Sequence, residues 1–315
     1  MDDLFLKVDI PDNDNAFDHS QSFLMLGSCF AEEIGNRLEE LRFKTCLNPN
    51  GILYNPLNIA DVLSHALDGA QYSESDLLRR EDIFLSWQHH GMHYGMEVDT
   101  FLAKLNKQAA NLSSKLLQAD VLILTFGTSY HWVLKEGARR VVNCHKQSSD
   151  LFEKKLCSTK QLAGVYAALI DRLRTINPGL KVLLTVSPVR YKRDGLIENN
   201  RSKARLLLLC EYLEEQYAHV AYFPAYELLI DGLRDYRFYA QDKVHPSKEA
   251  VGLIWNQFLQ SCFSEEAKAL IKEIDAYNRS CRHRSLYPDS AAAKRFEVSL
   301  KREGGKLDEL LKKYL

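Results

Sequence analysis

The feature that most limits what this chain can fold into is an alternation. Short apolar runs that read as buried strands recur between amphipathic helical stretches. Asp120-Val121-Leu122-Ile123-Leu124-Thr125-Phe126 is the clearest of these runs. A continuous apolar segment of that length fits a strand covered on both faces. Phe23 to Leu26, Lys181 to Val186 and His219 to Phe223 are of the same kind, and Arg42 to Leu47 can supply another. Helical stripes lie between them. Phe30, Ile34, Leu38 and Leu41 share one face of a helix, as do Leu102, Leu105, Ala109, Leu112 and Leu116. So do Leu162, Val165, Tyr166, Leu169, Ile170 and Leu173; Asn199 to Tyr217 is leucine-rich, and Val251, Ile254, Trp255, Phe258 and Leu259 form a last stripe after Pro246. Strands and helices in alternation predict a parallel sheet covered on both faces. A length of 315 residues suits one large α/β domain with insertions.

Three stretches fall outside the alternation. Residues 1–20 are acidic and polar and read as an extended arm. Residues 68–100 have no clean period and end in the cluster Trp87-Gln88-His89-His90-Gly91-Met92-His93-Tyr94. His89 and His93 have the spacing of a helical metal pair, but Gly91 separates them and no third ligand is near, so zinc is not expected. This stretch reads as a surface hairpin inserted near the site, able to act as a lid. Residues 263–315 are charged and helical and lie outside the sheet. The expected organisation is therefore a domain over 1–262, carrying the 68–100 insertion, and a helical extension over 263–315.

Charge and cysteine usage exclude several function classes. Lys+Arg (41) and Asp+Glu (42) nearly cancel, so the electrostatic footprint of a nucleic-acid or anionic-membrane binder is missing. No stretch reaches the ~18 apolar residues of a spanning helix, and Met1-Asp2-Asp3-Leu4 has no basic n-region. The 7 cysteines are scattered without framework spacing, which suits free thiols in a reducing cytoplasm.

The candidate chemistry lies at the ends of the strands. Leu24-Met25-Leu26-Gly27-Ser28-Cys29-Phe30 puts a serine between a strand and a helix, among unpaired N–H groups and the positive end of the helix dipole. That setting favours an anionic tetrahedral intermediate. A serine there also caps a helix, although Ala31 removes the reciprocal capping box, and Cys29 is the neighbouring alternative nucleophile. Gly51, in the turn-rich loop Asn48 to Pro56, lets a backbone N–H approach a ligand or simply makes a turn. Gly127-Thr128-Ser129 ends the central strand, where α/β folds bind ligands. Asn143-Cys144-His145-Lys146 returns polar groups on a hairpin, with His145 a candidate substrate contact. Asp242 and His245, three apart before Pro246, have the spacing at which a carboxylate meets imidazole Nδ1 in a tight turn. Nε2 is then left outward as a base near neutral pKa.

Gly27-Ser28-Cys29-Phe30-Ala31 resembles the signature of the GSCFA family, a branch of the SGNH (GDSL-like) hydrolase superfamily. Asn50-Gly51-Ile52-Leu53-Tyr54-Asn55-Pro56, Gly127-Thr128-Ser129, Asn143-Cys144-His145-Lys146 and Ser187-Pro188-Val189-Arg190 are similar to further blocks of that family. Arg234-Asp235-Tyr236-Arg237-Phe238-Tyr239 and Asp242-Lys243-Val244-His245-Pro246-Ser247 complete the set in the family's order. The resemblance implies a flavodoxin-like three-layer αβα sandwich with five parallel strands in the order 2-1-3-4-5. It implies Ser28 as nucleophile, His245 as general base and Asp242 as the residue orienting it. It also implies an oxyanion hole built from the N–H groups of Ser28 and Gly51. The superfamily's third donor is an asparagine. Thr128 and Ser129 stand in its place here, and Thr128 or Asn143 is the expected substitute.

The resulting expectation is a cofactor-free, metal-free cytoplasmic serine esterase or acylhydrolase working through an acyl-enzyme. Polar and aromatic groups near the site, Trp87, His89, His90 and His145 among them, favour a polar or carbohydrate ester over a long-chain lipid. An acyltransferase using the same residues, and a non-catalytic binding protein retaining the fold, are the alternatives.

Overall fold

A computed structural model describes residues 6–10 and 16–314. The remainder of the expected N-terminal arm, residues 1–5 and 11–15, lies outside the described residues. The central sheet has five strands, β1 (Ser22–Gly27), β2 (Lys44–Leu47), β3 (Val121–Phe126), β4 (Lys181–Val186) and β5 (Val220–Phe223), all parallel. Their order is β2-β1-β3-β4-β5, the order implied above.

Alternation along each strand sorts side chains into two cores. Leu24, Leu26, Leu122, Leu124, Val182 and Leu184 face one side. That side is covered by α2 (Pro56–Leu67), α3 (Val98–Gln118), α4 (Thr159–Ile176) and α5 (Leu196–Gln216). Phe23, Met25, Val121, Ile123, Leu183 and Phe223 face the other. There they meet α1 (Cys29–Glu40), α6 (Lys248–Cys262) and α7 (Glu265–Arg282). Leu307 of α8 (Ala291–Lys312) joins the same core, and Arg42 pairs with Asp308 at 2.6 Å. The C-terminal helices α7 and α8 thus join the core on this face without adding a strand to the sheet. No helix among the described residues is long and apolar enough to cross a membrane.

Two small antiparallel sheets rise beside the strand ends. One contains Leu77–Arg80, Ile83–Ser86 and Tyr94–Gly95. The other contains Tyr130–Leu134, Arg139–Val141 and Phe152–Leu156. Residues 130–134, for which the sequence suggests no strand, form its middle strand. The sheets are joined where Val142 N–H donates to Trp87 carbonyl at 2.7 Å and Trp87 packs on Val141 and Phe152. The 68–100 insertion is therefore better anchored than its missing periodicity suggests, because strands of two to four residues leave almost no periodic trace.

Two features fix the carboxyl edge. Gly27, at φ +152°, passes so close to β3 that a Cβ there would lie 2.4 Å from Thr125 carbonyl oxygen. The strands can approach at this point only because the residue has no side chain. Lys203 of α5 is 1% exposed, and its Nζ donates to the Gly127 carbonyl at 2.6 Å and the Ser187 carbonyl at 2.5 Å. It ties together the chain leaving β3 and the chain leaving β4. No carboxylate among the described residues pairs with it, and burial brings its pKa down to about 7.

Gly27→Ala should destabilise the fold by ~2–4 kcal/mol in a denaturant titration, through strain and displaced backbone. The Lys203 pKa of about 7 lies below an unfolded value of about 10.4. Between them the unfolded chain holds one more proton, so this group makes stability rise with pH over that window. Unfolding free energies at pH 7 and pH 9 should show the wild type gaining on Lys203→Met, by at most about 1.4 kcal/mol per pH unit.

Candidate active site

Ser28 leaves β1 in extended conformation and caps α1, its Oγ accepting from Phe30 N–H at 3.3 Å. The capping role foreseen for it is real, and it leaves the hydroxyl hydrogen free for a base. The residue is 1% exposed. Its own N–H donates to Thr125 carbonyl at 3.3 Å. Cys29, beside it, has its thiol pushed up, mainly by burial and then by Glu32, which makes it a poor thiolate.

The loop after β2 is knitted beneath Ser28. Asn48 Oδ1 accepts from Gly27 N–H at 2.9 Å, and Asn48 N–H donates to Met25 carbonyl at 2.8 Å. Leu53 N–H reaches Gly27 carbonyl at 2.9 Å. Tyr54 carbonyl then accepts from both Gly127 N–H (2.8 Å) and Thr128 N–H (2.9 Å), joining this loop to the end of β3. Gly51 has φ +76°, and a Cβ on it would lie 2.4 Å from His90 Cβ. Glycine is required both by the turn and by the insertion above it. The Gly51 N–H is donated to Asn48 carbonyl at 2.7 Å.

The insertion covers this loop through its histidines. His90 N–H donates to Asn50 carbonyl at 3.0 Å. His89, with no exposed surface, lies between Asn50 Nδ2 (3.0 Å from Nε2) and Ser86 Oγ (2.8 Å from Nδ1). Burial, followed by the neighbouring histidines, lowers its pKa to about 3. The neutral ring therefore accepts from Asn50 at Nε2 and donates to Ser86 from Nδ1. His93 is lowered to about 4, chiefly by burial. Among the described residues no group of three or more His, Cys, Asp or Glu could hold a metal ion.

The remaining expected site residues divide. Thr128 Oγ1 lies 3.0 Å from Ser202 Oγ, and Ser129 Oγ donates to Ser202 carbonyl at 3.2 Å. Both hydroxyls are committed to α5. His145 is buried with φ +48°, and its Nε2 lies 2.8 Å from Ser86 carbonyl, so it holds the insertion in place. Asn143 Oδ1 accepts from His145 N–H at 2.7 Å, while its Nδ2 makes no hydrogen bond among the described residues. That amide faces the insertion, 3.6 Å from where a Cβ on Gly91 would be.

Asp242 and His245 meet as their spacing predicts. Asp242 Oδ2 lies 2.7 Å from His245 Nδ1, and Oδ1 accepts from the N–H groups of Val244 (2.9 Å) and His245 (3.0 Å). His245 first, then these two N–H groups, hold the Asp242 carboxyl far below its usual range. It is an anion at any pH near neutrality. With Nδ1–H donated to it, His245 Nε2 carries the lone pair. The turn is tethered to the chain leaving β4 by Arg190 N–H, which donates to Val244 carbonyl at 3.2 Å. Both side chains are about half exposed, at 51% and 48%. Ser28 and the Asp242–His245 pair thus lie on the same edge of the sheet, after β1 and beside β4. No hydrogen bond joins Ser28 to His245 among the described residues.

Sequence reading missed Ser202, Lys203 and Tyr191. Lys203 falls at the helical period of Leu206, Cys210 and Leu213, and a polar residue continuing an apolar stripe toward a strand end was the available signal. Tyr191 had no such signal; its hydroxyl lies 2.4 Å from where a Cβ on Gly127 would be, and its ring meets Tyr54 edge-on at 6.1 Å.

No curated protein matches the chain. It is similar in structure to a carbohydrate esterase family 3 protein from Talaromyces cellulolyticus, with 11% identity and a TM-score of 0.37, over 81% of this chain and 99% of that one. It is also similar to an acetyl esterase variant bound to acetate ion, with 12% identity and a TM-score of 0.36, again over 81% and 99%. Neither likeness carries weight at those scores. The sequence model of the GSCFA family matches residues 22–258, spanning the sheet and every site loop described above. The chain belongs to the GSCFA family.

Proposed function

We propose that the protein is a serine ester hydrolase of the SGNH type. Ser28 Oγ attacks the ester carbonyl and passes its proton to His245 Nε2, while Asp242 holds the imidazole tautomer and stabilises the imidazolium. His245 returns the proton to the leaving alcohol, and water resolves the acyl-enzyme by the same steps in reverse. The observation that carries this reading is the Asp242–His245 pair at 2.7 Å, with Nε2 unengaged among the described residues, on the edge that holds Ser28 at a helix N-terminus. Ser28 and His245 make no hydrogen bond as they stand, so substrate binding draws the exposed turn inward; such contacts are often loose until a ligand is bound.

Most candidate donors to the oxyanion are already committed. Gly51 N–H and the hydroxyls of Thr128 and Ser129 are already committed, and Ser28 N–H is held at 3.3 Å by Thr125. Two side-chain amides near this edge make no hydrogen bond among the described residues, Asn48 Nδ2 and Asn143 Nδ2; Asn143, on the polar hairpin, takes the role of the superfamily's missing asparagine. The substrate is a small, polar acyl ester, carbohydrate esters included; the insertion sets His90, beside Met92, over Gly51.

A non-catalytic binding role has one observation in its favour, the 1% exposure of Ser28 without a bond to His245. Reaction with a fluorophosphonate probe separates the two. Labelling of the wild type that disappears in Ser28→Ala supports the hydrolase, and an unlabelled wild type supports the binding role. His245→Ala should lower kcat on a short acyl ester by at least ~10³-fold. Asn143→Ala should lower kcat by ~10²–10³-fold with little change in KM, since the amide acts on charge present only in the transition state.

A further inference from the structure

Next to His245 the carboxyl edge bears a cavity that the steps above leave unused. Its volume is 420 Å³, and it is lined by Arg190, Lys192, Leu196, Tyr236 and Lys243. Three cations meet there on a chain whose charges otherwise nearly cancel. No ion pair among the described residues engages any of the three. The acids nearest them in sequence are taken: Asp194 pairs with Lys154, Asp235 with Arg237 and Asp242 with His245.

The cations come from two chain segments held together by backbone. Arg190 follows β4 and donates its N–H to Val244 carbonyl at 3.2 Å, and its guanidinium lies over the Tyr239 ring at 4.1 Å. Lys192 is two residues on. Lys243 stands between Asp242 and His245 with φ +60°, a left-handed conformation costly for lysine, pinned by its N–H to Ala240 carbonyl at 3.0 Å. Like charges gathered around a concave surface raise the local concentration of anions. The remaining wall is apolar and exposed, with Leu196 at 55% and Tyr236 at 61%, so it offers a surface to the carbon skeleton bearing that anion.

We propose that this cavity is the subsite for an oxyanion group, carboxylate or phosphate, carried by the ester substrate. The natural ester is therefore anionic. The placement of that group beside the scissile bond rests on the hydrolase reading; the binding of the anion does not. Arg190, which also bonds the Tyr239 side chain, supplies its remaining donors, Lys192 and Lys243 supply point charges, and Leu196 and Tyr236 seat the skeleton.

Two measurements test this. In the first, kcat/KM is compared for phenyl acetate and 4-acetoxybenzoate, which differ by one carboxylate. The wild type should prefer the anionic ester by at least about tenfold, less so at high salt. That ratio should fall at least about fivefold in Lys192→Gln/Lys243→Asn, asparagine being chosen for its tolerance of positive φ. In the second, Ser28→Ala protein is titrated calorimetrically with benzoate and with inorganic phosphate; the tighter of the two identifies the oxyanion. The same two lysine substitutions should weaken that binding at least tenfold. Equal turnover of the two esters, or anion binding indifferent to the lysines, overturns the subsite and leaves the hydrolase standing. Anion binding lost with the lysines, in a protein that turns over neither ester, upholds the subsite and removes the hydrolase.

Discussion

Every group with chemical potential in this protein hangs from the carboxyl ends of adjacent parallel strands, and one close approach sets their spacing. Gly27 lies against Thr125 where no side chain could fit. Around that contact, Asn48, Leu53 and Tyr54 bind the loop after β2 to the ends of β1 and β3. Lys203 binds the end of β3 to the end of β4 from beneath. Ser28, Gly51 and the chain that tethers His245 are positioned by this knit. Every bond in it ends on a backbone group, with Asn48 and Lys203 the two side chains that take part, so the strand ends must lie close together. Larger side chains would separate the strands.

The two halves of the proposed catalytic unit are held very differently. Ser28 is buried, capped and fixed by the sheet. The Asp242–His245 turn is half exposed and tied to the sheet by one backbone bond to Arg190. A rigid nucleophile and a looser base form a site whose closing step belongs to the turn, and local stability is expected to be lower where backbone contacts are few. The cations around the neighbouring cavity lie on that same turn and on the segment that tethers it. An anionic group bound there would favour the turn's inward position.

Much of the fold was legible in sequence because its signals are long. Six-residue strands such as β3 and helices of a dozen residues or more leave clear periods, and the alternation of the two types fixes a parallel sheet. The Asp242–His245 pair was legible because it is local, three residues within one turn. What escaped were features that depend on distant partners. Thr128 and Ser129 look like free hydroxyls in sequence, and only the packing of α5 places Ser202 against both. His145 looks like a substrate contact, and only the insertion brings Ser86 carbonyl to its ring. The strand at 130–134 belongs to a short antiparallel pairing, and the buried Trp87 and His89 follow another in the turn after Ser86; the order of both comes from neighbours more than from their own pattern.

The central claim is that Ser28 and His245 act on one atom. A crystal structure of the protein with a phosphonate covalently bound to Ser28 tests it most directly, because the adduct mimics the tetrahedral intermediate. The account predicts His245 Nε2 within about 3.2 Å of the Ser28 ester oxygen or the leaving-group position, and Asn143 Nδ2 at hydrogen-bond distance from the phosphoryl oxygen. An adduct with the His245 ring still facing solvent and away from Ser28 would contradict it.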